Sequence, residues 1–95
     1  MEPKPQFVLI EDNLIDQFVT KKLLKKGLDV NPLFIANNGK EGIDWLIKNP
    51  NHKSLVILLD IQMPIMNGFE FLEEFSTLAE DLKNKIKIFV YSINN

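Results

Sequence analysis

Four short apolar runs punctuate the 95-residue chain, and stretches with helical spacing separate them. The runs are FVLI (7–10), LFIA (33–36), LVILLD (55–60) and IKIFVY (86–91). Each has the length of a strand, and the first and third read as strands covered on both faces. Between the first two runs, Leu14, Ile15, Phe18, Val19, Leu23 and Leu24 recur on one side of a predicted helix. Lys21, Lys22, Lys25 and Lys26 occupy the other side and the last turns, where positive charge suits the helix dipole. Asn13 is its expected N-cap and Gly27 its expected stop. A second helix is predicted from about Asn38 to just before Pro50, with Ile43, Leu46 and Ile47 inward and Gly42 as a weak interior position. FEFLEEFSTLAEDL predicts a third, with Phe69, Leu72 and Phe75 inward and Phe71 partly exposed. Residues 1–6, polar and proline-rich, read as a flexible lead-in to a single domain.

Strand–helix alternation of this kind implies an α/β fold, a doubly wound parallel sheet with right-handed crossovers. Composition narrows the function classes. The formal charge is −2 and all eleven basic residues are Lys. Neither feature suits a phosphodiester-reading surface, so no nucleic acid is expected as a partner. Without Cys, a disulfide scaffold, a thiolate nucleophile and a Cys-based zinc site are excluded. No apolar run approaches the ~20 residues of a membrane span, and MEPKPQ lacks the pattern of a signal peptide. A cytoplasmic protein with no membrane partner is expected.

Ligand sites in open parallel sheets form at the carboxyl ends of the strands. Glu11 and Asp12 follow the first strand, Asn37 and Asn38 the second, Asp60 ends the third and Ser92 follows the fourth. If the first and third strands are neighbours, three carboxylates meet. Ionised together they repel, which raises a pKa or calls for a cation. Oxygen ligands suit a hard ion, with Mg²⁺ the natural candidate. A carboxylate beside such an ion can accept a phosphoryl group, and the Ser92 hydroxyl could then bond a phosphate oxygen.

Taken together, FVLIEDN, LVILLDIQMPIMNGFEFLEEF and KIFVYS resemble the receiver domain of two-component response regulators, the CheY-like family with a flavodoxin-like fold. The specific element is D-x-x-M-P-x-M-x-G, here Asp60, Met63, Pro64, Met66 and Gly68. The resemblance implies strand order 2-1-3-4, with Asp60 the phosphoacceptor. Asp12 and Glu11 would hold Mg²⁺, together with Asp60 and the backbone carbonyl of Gln62. Ser92 would be the switch hydroxyl, and Met63, Pro64 and Gly68 would shape the loop. Implied partners are a histidine kinase or phosphotransfer protein and a downstream protein reached by protein–protein contact. The role would be signalling rather than turnover of an external substrate. Glu11 departs from the Asp often found there. The family's Lys and aromatic switch residue belong to a fifth strand, and no Lys here matches that Lys. An incomplete receiver domain, lacking that strand and its last helices, is therefore expected, with self-association through an exposed fourth-strand edge.

Each site residue also has a plainer reading. Asp60 could end a strand as a turn residue, and Glu11 and Asp12 could serve the helix dipole. Trp45 reads as packing, His52 as a solvated loop residue and the Lys cluster as a solvated face. Two other functions compete: an adaptor with the fold but no switch, and a Mg²⁺-dependent aspartyl-phosphate phosphatase. The haloacid-dehalogenase type of phosphatase needs an acid two residues after its nucleophile, where this chain has Gln62.

Overall fold

The four apolar runs form one parallel sheet in the computed structural model, which describes residues 5–61, 63 and 66–91. Strands β1 (Gln6–Ile10), β2 (Phe34–Ala36), β3 (Leu55–Asp60) and β4 (Ile86–Tyr91) alternate with helices. These are α1 (Leu14–Leu28), α2 (Gly39–Lys48), α3 (Gly68–Ser76) and the short α4 (Glu80–Lys83). The strand order is β2-β1-β3-β4, as expected, with every neighbouring pair parallel. β1 starts one residue earlier than its apolar run, because ladder bonding needs backbone and not apolar side chains. The Gln6 N–H donates to Ser54 O at 3.0 Å.

Register decides what meets at the carboxyl edge. Ile10 pairs with Ala36 on one side and Leu59 on the other, and Asp60 pairs with Tyr91. The residue after Ile10 therefore comes level with Asp60. Beneath this edge, Val8, Ile10, Ile57 and Leu59 join Ile43 and Leu46 of α2 and Phe71 of α3 in one buried core. Among the described residues, no helix is long and apolar enough to cross a membrane.

The helices differ from expectation in instructive ways. Of the six apolar residues expected to face inward on α1, only Leu24 is buried; Leu14 and Ile15 are both 73% exposed. Among the described residues nothing covers the rest of that stripe. α1 also runs past Gly27 to Leu28 and stops at Asp29, which takes the left-handed conformation at φ 54°. Asp tolerates that region, and its carboxylate is held by Lys25 Nζ at 2.7 Å.

The expected third helix is two. Ser76 Oγ donates to Glu73 O at 2.6 Å and Thr77 Oγ1 to Glu74 O at 2.7 Å. Hydroxyls that take helix carbonyls in this way compete with helix continuation. Phe69 faces solvent and Phe71 lies fully in the core, the reverse of the expectation for those two rings, while Leu72 and Phe75 pack against the core as expected. On α2, Ile43 and Leu46 are buried as expected, while Ile47 faces solvent. Trp45 packs against the core as expected. His52 is not simply solvated: its ring stacks on Trp45 at 5.1 Å, and Trp45 stacks on Phe34 at 5.2 Å. The indole offers both faces, and the loop's flat imidazole covers one of them.

Candidate metal centre

Glu11, Asp12 and Asp60 converge at the carboxyl edge, with a carboxylate oxygen from each lying within 4.8 Å of the others. Asp60 is the last residue of β3 and is buried, Glu11 has no exposed surface, and Asp12 is the open member. Strand pairing sets this up. The Glu11 N–H continues the β1–β2 ladder by donating to Ala36 O at 3.0 Å. The site also lies between β1 and β3, beside the point where strand order reverses.

The turn into α1 holds Glu11 from several sides. Asn13 N–H donates to Glu11 Oε2 at 3.2 Å, while Asn13 Oδ1 caps α1 by accepting from the Ile15 and Asp16 N–H groups. Gln17 Nε2 donates to Glu11 O at 2.6 Å and to Asn37 Oδ1 at 2.9 Å, tying α1 to the ends of β1 and β2. Tyr91, at the end of β4, donates its hydroxyl to Glu11 Oε1 at 2.8 Å.

Burial is the main cause that pushes the Glu11 carboxyl up to about 7. The Tyr91 hydroxyl and the Asn13 N–H pull it down, while a hydrogen bond and like charge from Asp60 push it up. Burial and the Glu11 carboxylate push the Tyr91 phenol well above its ordinary value. Three close carboxylates, one of them held back from ionising, fit a hard divalent cation with room for water.

The start of α3 is tied back to the end of β3. The Ile61 N–H donates to Tyr91 O, and the Gly68 N–H returns to Ile61 O, both at 3.0 Å. A Cβ on Gly68 would stand 2.8 Å from Ile61 Cα, so a side chain there would press on backbone. Met63 is buried in the core, and Met66 lies against Gly39. Gln62, Pro64 and Ser92 lie outside the described residues.

The structure thus brings together three of the sequence-predicted acids. Sequence reasoning missed Tyr91, Asn13 N–H and Gln17 as their supports. A polar-tipped aromatic ending an otherwise apolar strand was a signal for Tyr91, but its reach to Glu11 depends on β3 lying between β4 and β1.

The sequence profile of the response regulator receiver domain matches residues 7–95. A hybrid signal transduction histidine kinase I from Dictyostelium discoideum is 44% identical over 70 residues, covering 70% of this chain and 4% of that protein. The chain therefore spans a small part of that relative. A response regulator receiver protein from Dyadobacter fermentans is similar in structure, with TM-score 0.83 and 33% identity over 94% of this chain and 69% of that one. A solved complex of the P1 domain of CheA3 with CheY6 from R. sphaeroides also matches, with TM-score 0.64 and 34% identity over 95% of this chain and 65% of that one.

Proposed function

The chain belongs to the response regulator receiver domain family of two-component signalling, and from that premise we propose that Asp60 is its phosphoacceptor. The observation that carries the reading is the convergence of Glu11, Asp12 and Asp60, with Asp60 fixed at the tip of a buried strand. A carboxylate oxygen of Asp60 attacks the phosphorus of a phosphohistidine on a histidine kinase or phosphotransfer protein. An acyl phosphate forms and the P–N bond breaks. The departing imidazole nitrogen keeps the bonding pair and takes a proton from solvent. The CheA3–CheY6 complex supports a partner of this kind.

Glu11, Asp12, Asp60 and the Gln62 carbonyl would hold Mg²⁺. Bound there, the ion would neutralise charge on the transferring phosphoryl group and relieve repulsion among the acids. Ser92 would donate a hydrogen bond to a phosphoryl oxygen, coupling modification to the segment after β4. Met63, Pro64 and Gly68 would hold the loop clear of the approach to Asp60. The output is a population shift read by a protein partner, in the cytoplasm where kinase domains deliver phosphoryl groups.

The test is transfer from a labelled, autophosphorylated histidine kinase. Label is expected on the chain in Mg²⁺, and not on Asp60→Asn or in excess chelator. Equal labelling of Asp60→Asn would overturn the assignment. No labelling by any kinase or by a small phosphodonor would favour the adaptor reading.

A further inference from the structure

Tyr91 pairs with Asp60 in the sheet register, yet its hydroxyl bonds elsewhere. It crosses the end of β3 and donates to Glu11 Oε1, on the far side, at 2.8 Å. The phenol therefore links the ends of β4 and β1 at the edge where the acids meet.

Glu11 is the one member of the acid cluster with no exposed surface. Its other oxygen, Oε2, accepts the Asn13 N–H. Each carboxylate oxygen has about two lone-pair sites, so these two bonds fix the carboxylate's orientation and leave acceptor capacity on both oxygens. Both donors are neutral and so orient the carboxylate without neutralising it. Groups that orient a metal-binding side chain from behind commonly govern how well it binds.

We propose that Tyr91 is a positioning residue for the divalent cation: its hydroxyl holds Glu11 turned toward Asp12 and Asp60. The same bond ties occupancy of the cluster to the last residue of β4, directly before Ser92. The inference rests on the reading of these acids as a Mg²⁺ site. A purely structural Tyr91 would satisfy a buried carboxylate and be indifferent to the ion.

Tyr91 is the chain's sole tyrosine, so ¹³C at its Cζ gives a single NMR line. In a Mg²⁺ titration of the unaltered chain, that line is expected to shift with the same midpoint as the Asp12 and Asp60 amides. Tyr91→Phe keeps the ring and removes the hydroxyl, and should weaken Mg²⁺ binding about tenfold or more. Glu11→Asp shortens the acid by one methylene and withdraws it from the phenol. In that background Tyr91→Phe should cost little further affinity.

Undiminished binding by folded Tyr91→Phe overturns the proposal, as does equal weakening in the Glu11→Asp background. A tyrosine line that stays still at saturation overturns it without any variant. If amides of the unaltered chain also fail to respond to Mg²⁺, the metal site itself is wrong and the proposal falls with it.

Discussion

A Cβ built on Gly42 of α2 would stand 2.5 Å from Cδ1 of Ile10 in β1. The Phe71 ring closes the same space at 3.3 Å, and both neighbours are fully buried. The glycine weakens its helix locally and lets α2 sit close on the sheet beneath the acidic edge. Gly42→Ala should therefore destabilise by about 1 kcal/mol, with overpacking outweighing the gain in helix propensity. Gly27 of α1 has nothing within 4 Å of the equivalent point. Gly27→Ala should stabilise by about 0.5–1 kcal/mol. Urea unfolding followed through Trp45 fluorescence reads both; the same sign for the two would contradict this account of α2.

Gly68 makes a harsher contact, because its neighbour is the Ile61 backbone. Gly68→Ala should cost about 2–3 kcal/mol, at the upper end for overpacking. It should also move the Ile61 and Asp60 amides in an NMR spectrum. A silent substitution would show that the loop closes by some other means.

The Glu11 carboxyl, ordinarily at 4.5, is held at about 7 in the folded chain. The fold thus binds this proton more tightly than the unfolded chain does. Its contribution to stability is fully present below about 4.5 and is lost as pH rises through about 7. Without divalent ions, stability should fall across that window with a slope from this group of at most about 1.4 kcal/mol per pH unit. Glu11→Gln should flatten the slope. Saturating Mg²⁺ should flatten it too, because a bound cation favours the ionised acid. Chemical denaturation at a series of pH values checks all three; an unchanged slope in Glu11→Gln would assign it to other groups.

Asn67 accepts the Glu70 N–H at 2.9 Å and its own N–H donates to Glu70 Oε1 at 3.4 Å, closing a capping box at the start of α3. Asn67→Ala should cost about 1 kcal/mol. Faster amide exchange in the first turn of α3 would locate the loss.

The sheet was legible because its signal is local. Each strand is an apolar run, and alternation with helices leaves few topologies. β3 at Leu55–Asp60 and β4 at Ile86–Tyr91 stand where the hydropathy pattern predicts. The convergence of Glu11, Asp12 and Asp60 needed only one further step, adjacency of β1 and β3. What was not legible depends on neighbours. The apolar stripe of α1 reads as core but is mostly exposed. Leu72 and Phe75 of α3 pack on the core as read, but Phe69 and Phe71 stand about 200° apart on the helix and are equally apolar, so hydropathy did not say which of the two turns inward. His52 on Trp45 and Tyr91 on Glu11 join positions far apart in the chain, and no periodicity carries such pairs.

The central claim is that Asp60 accepts the phosphoryl group with the help of the acids around it. The most direct measurement is peptide mapping by mass spectrometry after incubation with acetyl phosphate and Mg²⁺. The account predicts one added phosphoryl group, on the peptide containing Asp60, lost with excess chelator. Stable modification at another residue, or none on a chain shown to bind Mg²⁺, would contradict it.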